Sequence, residues 1–297
     1  MRASRIVSTV ALSMCVAGLV GGCAGGDGSG DAVRSVPRTA QARDDLLKSA
    51  QNELVRRCLT DREVEAPAPV TTSAAPQPAG GQRQFPYGID DPAWAAEHGF
   101  GITAGSTGQG GPATPKLDRK AAAEQQRLSD ALFGTGRREL STRTATGLLV
   151  KANSDGCLAQ AQRVLYGDQA AWFRTDVTVN NLAAAAHQRV TRDPAYRAAL
   201  ADWSRCIAPV HKATDPAELR SAWQRGAHDL DARRAAALQR RYAVAEARCV
   251  RRTGLAGTGV RLERWYTAEL RAQYADQLDD HRRLREHGLR YAVQHGL

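Results

Sequence analysis

The chain has 297 residues, 42% apolar and 24% charged, with a formal net charge of +10. Its length suits one large or two small domains, and no apolar run reaches the roughly 20 residues that a spanning helix needs, so a polytopic membrane protein is excluded. Of the 41 basic residues only five are lysine and 36 are arginine. With the abundant alanine this points to a GC-rich genome such as an actinobacterium's, and codon bias then accounts for part of the arginine.

The N-terminus has the three parts of a secretion signal. Arg2 and Arg5 are positive, residues 6–20 are apolar apart from Ser8, Thr9, Ser13 and Gly18, and small residues Gly21 and Gly22 precede Cys23. The run Leu19, Val20, Gly21, Gly22, Cys23 resembles a bacterial lipobox. That resemblance implies cleavage between Gly22 and Cys23 and a diacylglyceryl thioether on Cys23. Residues 1–22 are therefore expected to be a signal peptide, and loss of its two arginines takes the formal charge to +8. Cys15 is no rival, because the bulky Met14 precedes it. Residues 23–38 can bury almost nothing and read as a flexible tether. Two acyl chains hold a protein on a bilayer stably, so the expected location is the extracytoplasmic face of the cell membrane, with the lipid on Cys23 as the only membrane contact.

Residues 39–297 are expected to form a single helical domain interrupted by two linkers. Leu47, Ala50, Leu54 and Cys58 recur at helical spacing in a first helix over 39–60. Residues 66–84 are rich in proline and alanine and read as a linker. Asp91 and Pro92 open a short helix that Gly99 stops, since aspartate caps the free N–H groups and proline tolerates the first helical position. The glycine-rich stretch 103–115 is a second linker, and 117–133 a polar helix. Residues 138–151 lack a helical period, which suggests a short strand or irregular segment.

Helices then follow over 156–166 and 168–190. Asp193-Pro194 opens another, with Tyr196, Ala199, Trp203, Cys206 and Ile207 on one face. Asp215-Pro216 opens the next, with Glu218 placed as in a capping box, and Gly226 is expected to break or bend it. Ala235, Leu238, Tyr242, Ala245 and Cys249 mark a further helix ended by Gly254. A single last helix is expected over 259–294. The fold class is therefore all-α: a disulfide-stapled bundle of antiparallel helices with long Pro/Gly-rich loops.

Without Cys15 and the lipidated Cys23, four cysteines remain: Cys58, Cys157, Cys206 and Cys249. An even count outside the cytoplasm implies disulfides, and there is no C-x-x-C spacing for a metal. Three pairings are possible; the lean is toward Cys58–Cys206 and Cys157–Cys249, which close loops of about 90 to 150 residues, worth about 3–5 kcal/mol each in the chain-entropy model.

No catalytic constellation, metal site or cofactor motif stands out. The glycines after Gly105 lack the Gly-Lys-Ser/Thr ending of a phosphate loop, and there is neither H-E-x-x-H nor G-x-S-x-G. His281 and His287 are six apart. Asp276, Asp279 and Asp280 are followed within a turn by Arg282 and Arg283, so local ion pairing explains them. Tyr166, Trp172 and Phe173 fit core positions better than a ligand groove. The basic balance would suit anionic lipid headgroups or an acidic wall polymer, and the expected location excludes nucleic acid. Basic and acidic residues interleave along the helices, however, so a solvated surface is the preferred reading.

Three stretches, YGIDDPAWAAEHGFG from Tyr87, GCLAQA from Gly156 and AEARCVRRTGL from Ala245, resemble a type of lipoprotein found in actinomycetes. The resemblance implies an envelope location and helical structure, and it carries no catalytic residues over. The expectation is a non-enzymatic interaction or accessory module of the envelope. The alternatives are a binder of a wall fragment, lipid or peptide, or, more weakly, a wall-active enzyme.

Overall fold

The computed structural model describes residues 35–65, 83–102 and 118–297. Residues 1–34, with the signal, Gly22 and Cys23, lie outside the described residues, as do residues 66–82 and 103–117, which hold the expected linkers apart from residues 83 and 84. The body Ser35–Leu297 is one compact unit. Among the described residues it has ten helices and one β-hairpin: α1 (Ala40–Asp61), α2 (Pro92–His98), α3 (Arg119–Phe133), β1 (Glu139–Arg143), β2 (Leu149–Asn153), α4 (Cys157–Tyr166), α5 (Gln169–Arg192), α6 (Pro194–Ile207), α7 (Pro216–Ala227), α8 (Ala232–Thr253), α9 (Leu255–Gln273) and α10 (Ala275–Gln294). The all-α class is correct. No described helix is long and apolar enough to cross a membrane.

Short polar side chains fix most of the helix starts, as the sequence led us to expect. Asp91, Asp193 and Asp215 each precede a proline at the first helical position, and each carboxylate accepts backbone N–H groups of the first turn. A shifted version of the capping box forms: Glu218 N–H donates to Asp215 Oδ1 at 2.8 Å, and Glu218 Oε2 accepts the N–H of Thr214, one residue before the cap, at 2.7 Å. The segment without helical period forms the antiparallel hairpin, with Ser141 opposite Lys151.

The spine of the body is α5, against which α9 and α10 run antiparallel. Trp172, near the start of α5, shares a core with Leu289 and Ala292 of α10. Leu182, Ala185 and Ala186 meet Leu270 in the middle, and Val190, near the end, joins a core with Leu255. The spine links two ends. At one, α1, α3, α4 and α10 pack around small clusters, and Cys58–Cys157 joins α1 to α4. At the other, α2, α6, α7, α8 and the start of α9 enclose one large core rich in aromatic side chains, and Cys206–Cys249 joins α6 to α8.

Two expectations need correction. The disulfide pairing is Cys58–Cys157 and Cys206–Cys249, closing separations of 99 and 43 residues. The favoured crossed pairing would have needed cysteines from opposite ends to meet, and each end instead closes on itself. The last helix is two helices. Tyr274 (φ −108°, ψ 24°) separates α9 from α10, and its ring packs with Leu182 and Leu270 against the middle of α5. The helix of Asp215 ends at Ala227, one residue past Gly226, where its interruption was expected.

The start of α9 holds two glycines with different reasons. A Cβ on Gly259 would lie 2.3 Å from Cγ of Tyr87, whose ring is 1% exposed. Only a hydrogen fits there, so the helix sacrifices propensity for a close contact. A Cβ on Gly257 would meet nothing within 4 Å.

Candidate functional site

Helix α8 has the most unusual charge distribution of the described residues. Its 22 residues carry seven arginines and one carboxylate, Glu246. At about 100° per residue, Arg233, Arg234, Arg240, Arg241, Arg248, Arg251 and Arg252 all fall within an arc of about 120°, and all seven are exposed. The stripe from Arg233 to Arg252 is about 28 Å long at helical rise. Arg234 pairs with Asp231 at 3.3 Å, and Arg252 reaches over the sulfur of Cys206. Among the described residues the other five have no ion-pair partner. The sequence outside the described residues holds only Asp27 and Asp31 as side-chain carboxylates.

The opposite face of α8 explains why the arginines point outward. Gln239, Ala243, Glu246, Ala247, Cys249 and Val250 are buried. Two of these polar groups hold the segment around α2. Gln239 accepts Phe100 N–H at 3.3 Å and donates to Ile102 O at 3.0 Å. Glu246, fully buried, accepts Ile89 N–H at 2.8 Å and the Arg220 guanidinium at 3.1 Å on the same oxygen. Its Oε2 has no hydrogen-bond partner among the described residues. Burial holds the Glu246 carboxyl above its ordinary value, against the opposing pull of Arg220 and the Ile89 N–H. With these bonds and the disulfide to α6, the arginine face is held on a fixed frame.

A groove of about 450 Å³ crosses this face, lined by Arg240, Arg241 and Arg248 together with Ala96, Val210, Val244 and Ala245. Apolar surface thus lies between unpaired guanidinium groups.

Two other clefts differ in chemistry. One, of about 350 Å³, lies between the hairpin and helices α3 to α5 and is lined by Phe133, Phe173, Asn153, Gln162, Gln169 and Lys151, with small apolar residues. Aromatic faces and neutral amides suit an uncharged polar ligand. The other, of about 720 Å³, lies beside the start of α1 and the α9–α10 junction. Its two carboxylates, Asp44 and Asp279, are ion-paired to Arg285 and Arg282. Neither carboxylate is isolated, as an acid–base pair would require.

The residues singled out from sequence scatter. Tyr166 and Trp172 stack at 3.6 Å inside the core, and of the three aromatic residues only Phe173 reaches a cleft. His281 stacks on Trp172 at 4.9 Å and lines the 720 Å³ cleft with Asp279 and Arg282. Burial pushes the Tyr166 hydroxyl up to about 12. The His281 Nε2 lies 3.5 Å from Asp176, and the His287 ring faces Gly167. Asp279 and Asp280 pair with Arg282 and Arg283 on the surface of α10. Among the described residues no group of three or more His, Cys, Asp or Glu side chains is placed to share a metal ion. The arginine face was missed because charges were compared along the chain rather than around a helix. Seven arginines with one carboxylate over 232–253 was the available signal. Comparison of the chain with protein-family models, with curated proteins and with solved structures finds no match.

Proposed function

We propose that the chain is a lipid-anchored lipoprotein of the extracytoplasmic face, whose helical body acts as a non-enzymatic docking module of the cell envelope. The observation that carries this reading is the oxidation of all four body cysteines into two disulfides that join core helices at both ends. Such bridges persist outside the reducing cytoplasm, where the lipobox-like run ending at Cys23 would deliver the chain. Cys23 holds the membrane, residues 23–38 are the tether, and the stapled body presents a fixed surface to an envelope partner.

Intact-mass analysis of the chain made in a lipoprotein-processing bacterium tests it. The expected product lacks residues 1–22 and carries a diacylglyceryl group on Cys23, and Cys23→Ala releases it from the membrane fraction. An unprocessed, unacylated chain with all six thiols reduced would sink the proposal. A second reading, a binder of an uncharged wall fragment, is favoured by the cleft of Phe133, Phe173 and three amides. It requires saturable calorimetric binding of a wall disaccharide that Phe173→Ala abolishes.

A further inference from the structure

We infer that the arginine face of α8 is a docking surface for a linear polyanion, with Arg240, Arg241 and Arg248 around the central groove as its main anchors. The inference deepens the docking role proposed above by naming the partner's chemistry.

Charge complementarity is the first argument. Seven guanidinium groups on one arc repel one another, and five have no ion-pair partner among the described residues. Several arginines elsewhere are paired, as at Arg56 with Glu53 or Arg283 with Asp280, and others, such as Arg127, Arg137 and Arg138, have no ion-pair partner among the described residues. What sets α8 apart is seven arginines on one arc of a helix whose single carboxylate, Glu246, is buried. Water and salt screen these exposed charges in part, and a polyanion lying along the stripe would neutralise several of them at once. Arginine's planar fork also pairs oxyanions in two-point fashion, which a solvated ammonium does not.

Shape is the second argument. The face is a straight stripe on a frame held by Gln239, Glu246 and a disulfide, so the backbone needs little ordering on binding and the cost falls on the arginine side chains. Val244 and Ala245, in the groove between the arginines, offer apolar contact to the carbon units that separate successive anionic groups of a polymer.

A bilayer fits less well. Helices that lie on membranes carry large apolar residues beside their basic ones, to insert below the headgroups. Here the groove's apolar residues are only valine and alanine. The tether enters α1, which packs on α3, α4 and α10, whereas α8 packs on α2, α6, α7 and α9. A second copy of a chain with this net positive charge offers no compensating field.

The test uses the full chain in detergent, inorganic polyphosphate of defined length, and phosphatidylglycerol vesicles. The chain should bind polyphosphate with an affinity that falls linearly on a log–log salt plot. The triple variant Arg240→Gln, Arg241→Gln, Arg248→Gln should lose at least ~10-fold in affinity at low salt, and its slope should drop by about 2–3. A control triple of equal charge change on exposed residues, Arg127→Gln, Arg137→Gln, Arg138→Gln, should retain binding. Thermal melts establish that both variants fold. Four results would each overturn the inference: unchanged binding by the α8 triple, equal loss by the control, α8-dependent binding to vesicles but not to polyphosphate, or a dimer that the α8 triple abolishes. Binding does not depend on acylation, so failure here is distinct from failure of the lipoprotein reading.

Discussion

At the α8 end of the body, seventeen described buried residues form one continuous core, with Tyr87, Phe100, Tyr196, Trp203 and Trp223 among them. At the α1 end, the core is divided into a cluster of seven buried residues around Trp172 and one of four around Cys58 and Cys157. Each end has one disulfide, but they do different jobs. Cys206–Cys249 ties two helices already held by a large core, whereas Cys58 and Cys157 are themselves half of a four-residue cluster. Small cores depend on covalent staples because little apolar area is available to offset chain entropy. The ends differ in surface as well: neutral and ion-paired clefts at one, a one-sided stripe of arginines on α8 at the other.

The strongest way to break this comparison is to remove each bridge. Cys58→Ala with Cys157→Ala should destabilise by about 5 kcal/mol and Cys206→Ala with Cys249→Ala by about 4 kcal/mol, from the lengths of chain they close. Denaturant unfolding measures both. Loop length alone separates the two by less than about 1 kcal/mol. A larger gap would show that the divided core leans on its staple more than entropy predicts, and a reversed order would refute the contrast.

The next effect concerns Glu246. Arg220→Ala should cost about 2–3 kcal/mol at neutral pH, since it leaves a buried carboxylate without its counter-ion, and the partial exposure of Arg220 keeps the loss toward the low side. The sign of the pH dependence follows from the raised carboxyl. The folded chain holds this proton more tightly than the unfolded chain, whose glutamate titrates near 4.5. The residue's contribution is therefore most favourable below about pH 4.5 and declines as pH rises toward the raised folded value. Glu246→Gln should remove that decline and Arg220→Ala should steepen it. Melts across pH 4 to 8 read both, and parallel profiles for wild type and Glu246→Gln would contradict the assignment.

The smallest effects test the two glycines of α9. Gly259→Ala should destabilise by about 2 kcal/mol, because the methyl group must displace the buried Tyr87 ring. Gly257→Ala should stabilise by about 0.5–1 kcal/mol, from helix propensity alone. If both changes stabilise, Tyr87 is not packed against α9 as described.

Local chemistry made much of this legible in advance. The Asp-Pro pairs announced α2, α6 and α7 because capping and proline geometry act within one turn. Gly254 announced the end of α8 because a left-handed residue without a Cβ penalty is needed there. Apolar periodicity placed Cys58, Cys206 and Cys249 on core-facing stripes. The break at Tyr274 had no such sign, since neither proline nor glycine is near; it arises where that ring packs against the middle of α5. Of the candidate site, the composition of α8 was visible and its one-sidedness was not sought.

The amino-acid order by itself determined the helical class, most helix starts and ends, the number of sulfurs available to pair, and a strongly basic α8. Those properties depend on interactions within a few residues or on simple counting. The tertiary structure alone decided which cysteines meet, where the last helix divides, and that the α8 arginines stand clear of the acidic side chains elsewhere in the body. These depend on distances between residues 40 to 250 positions apart, which are set only when the two ends close around their own cores.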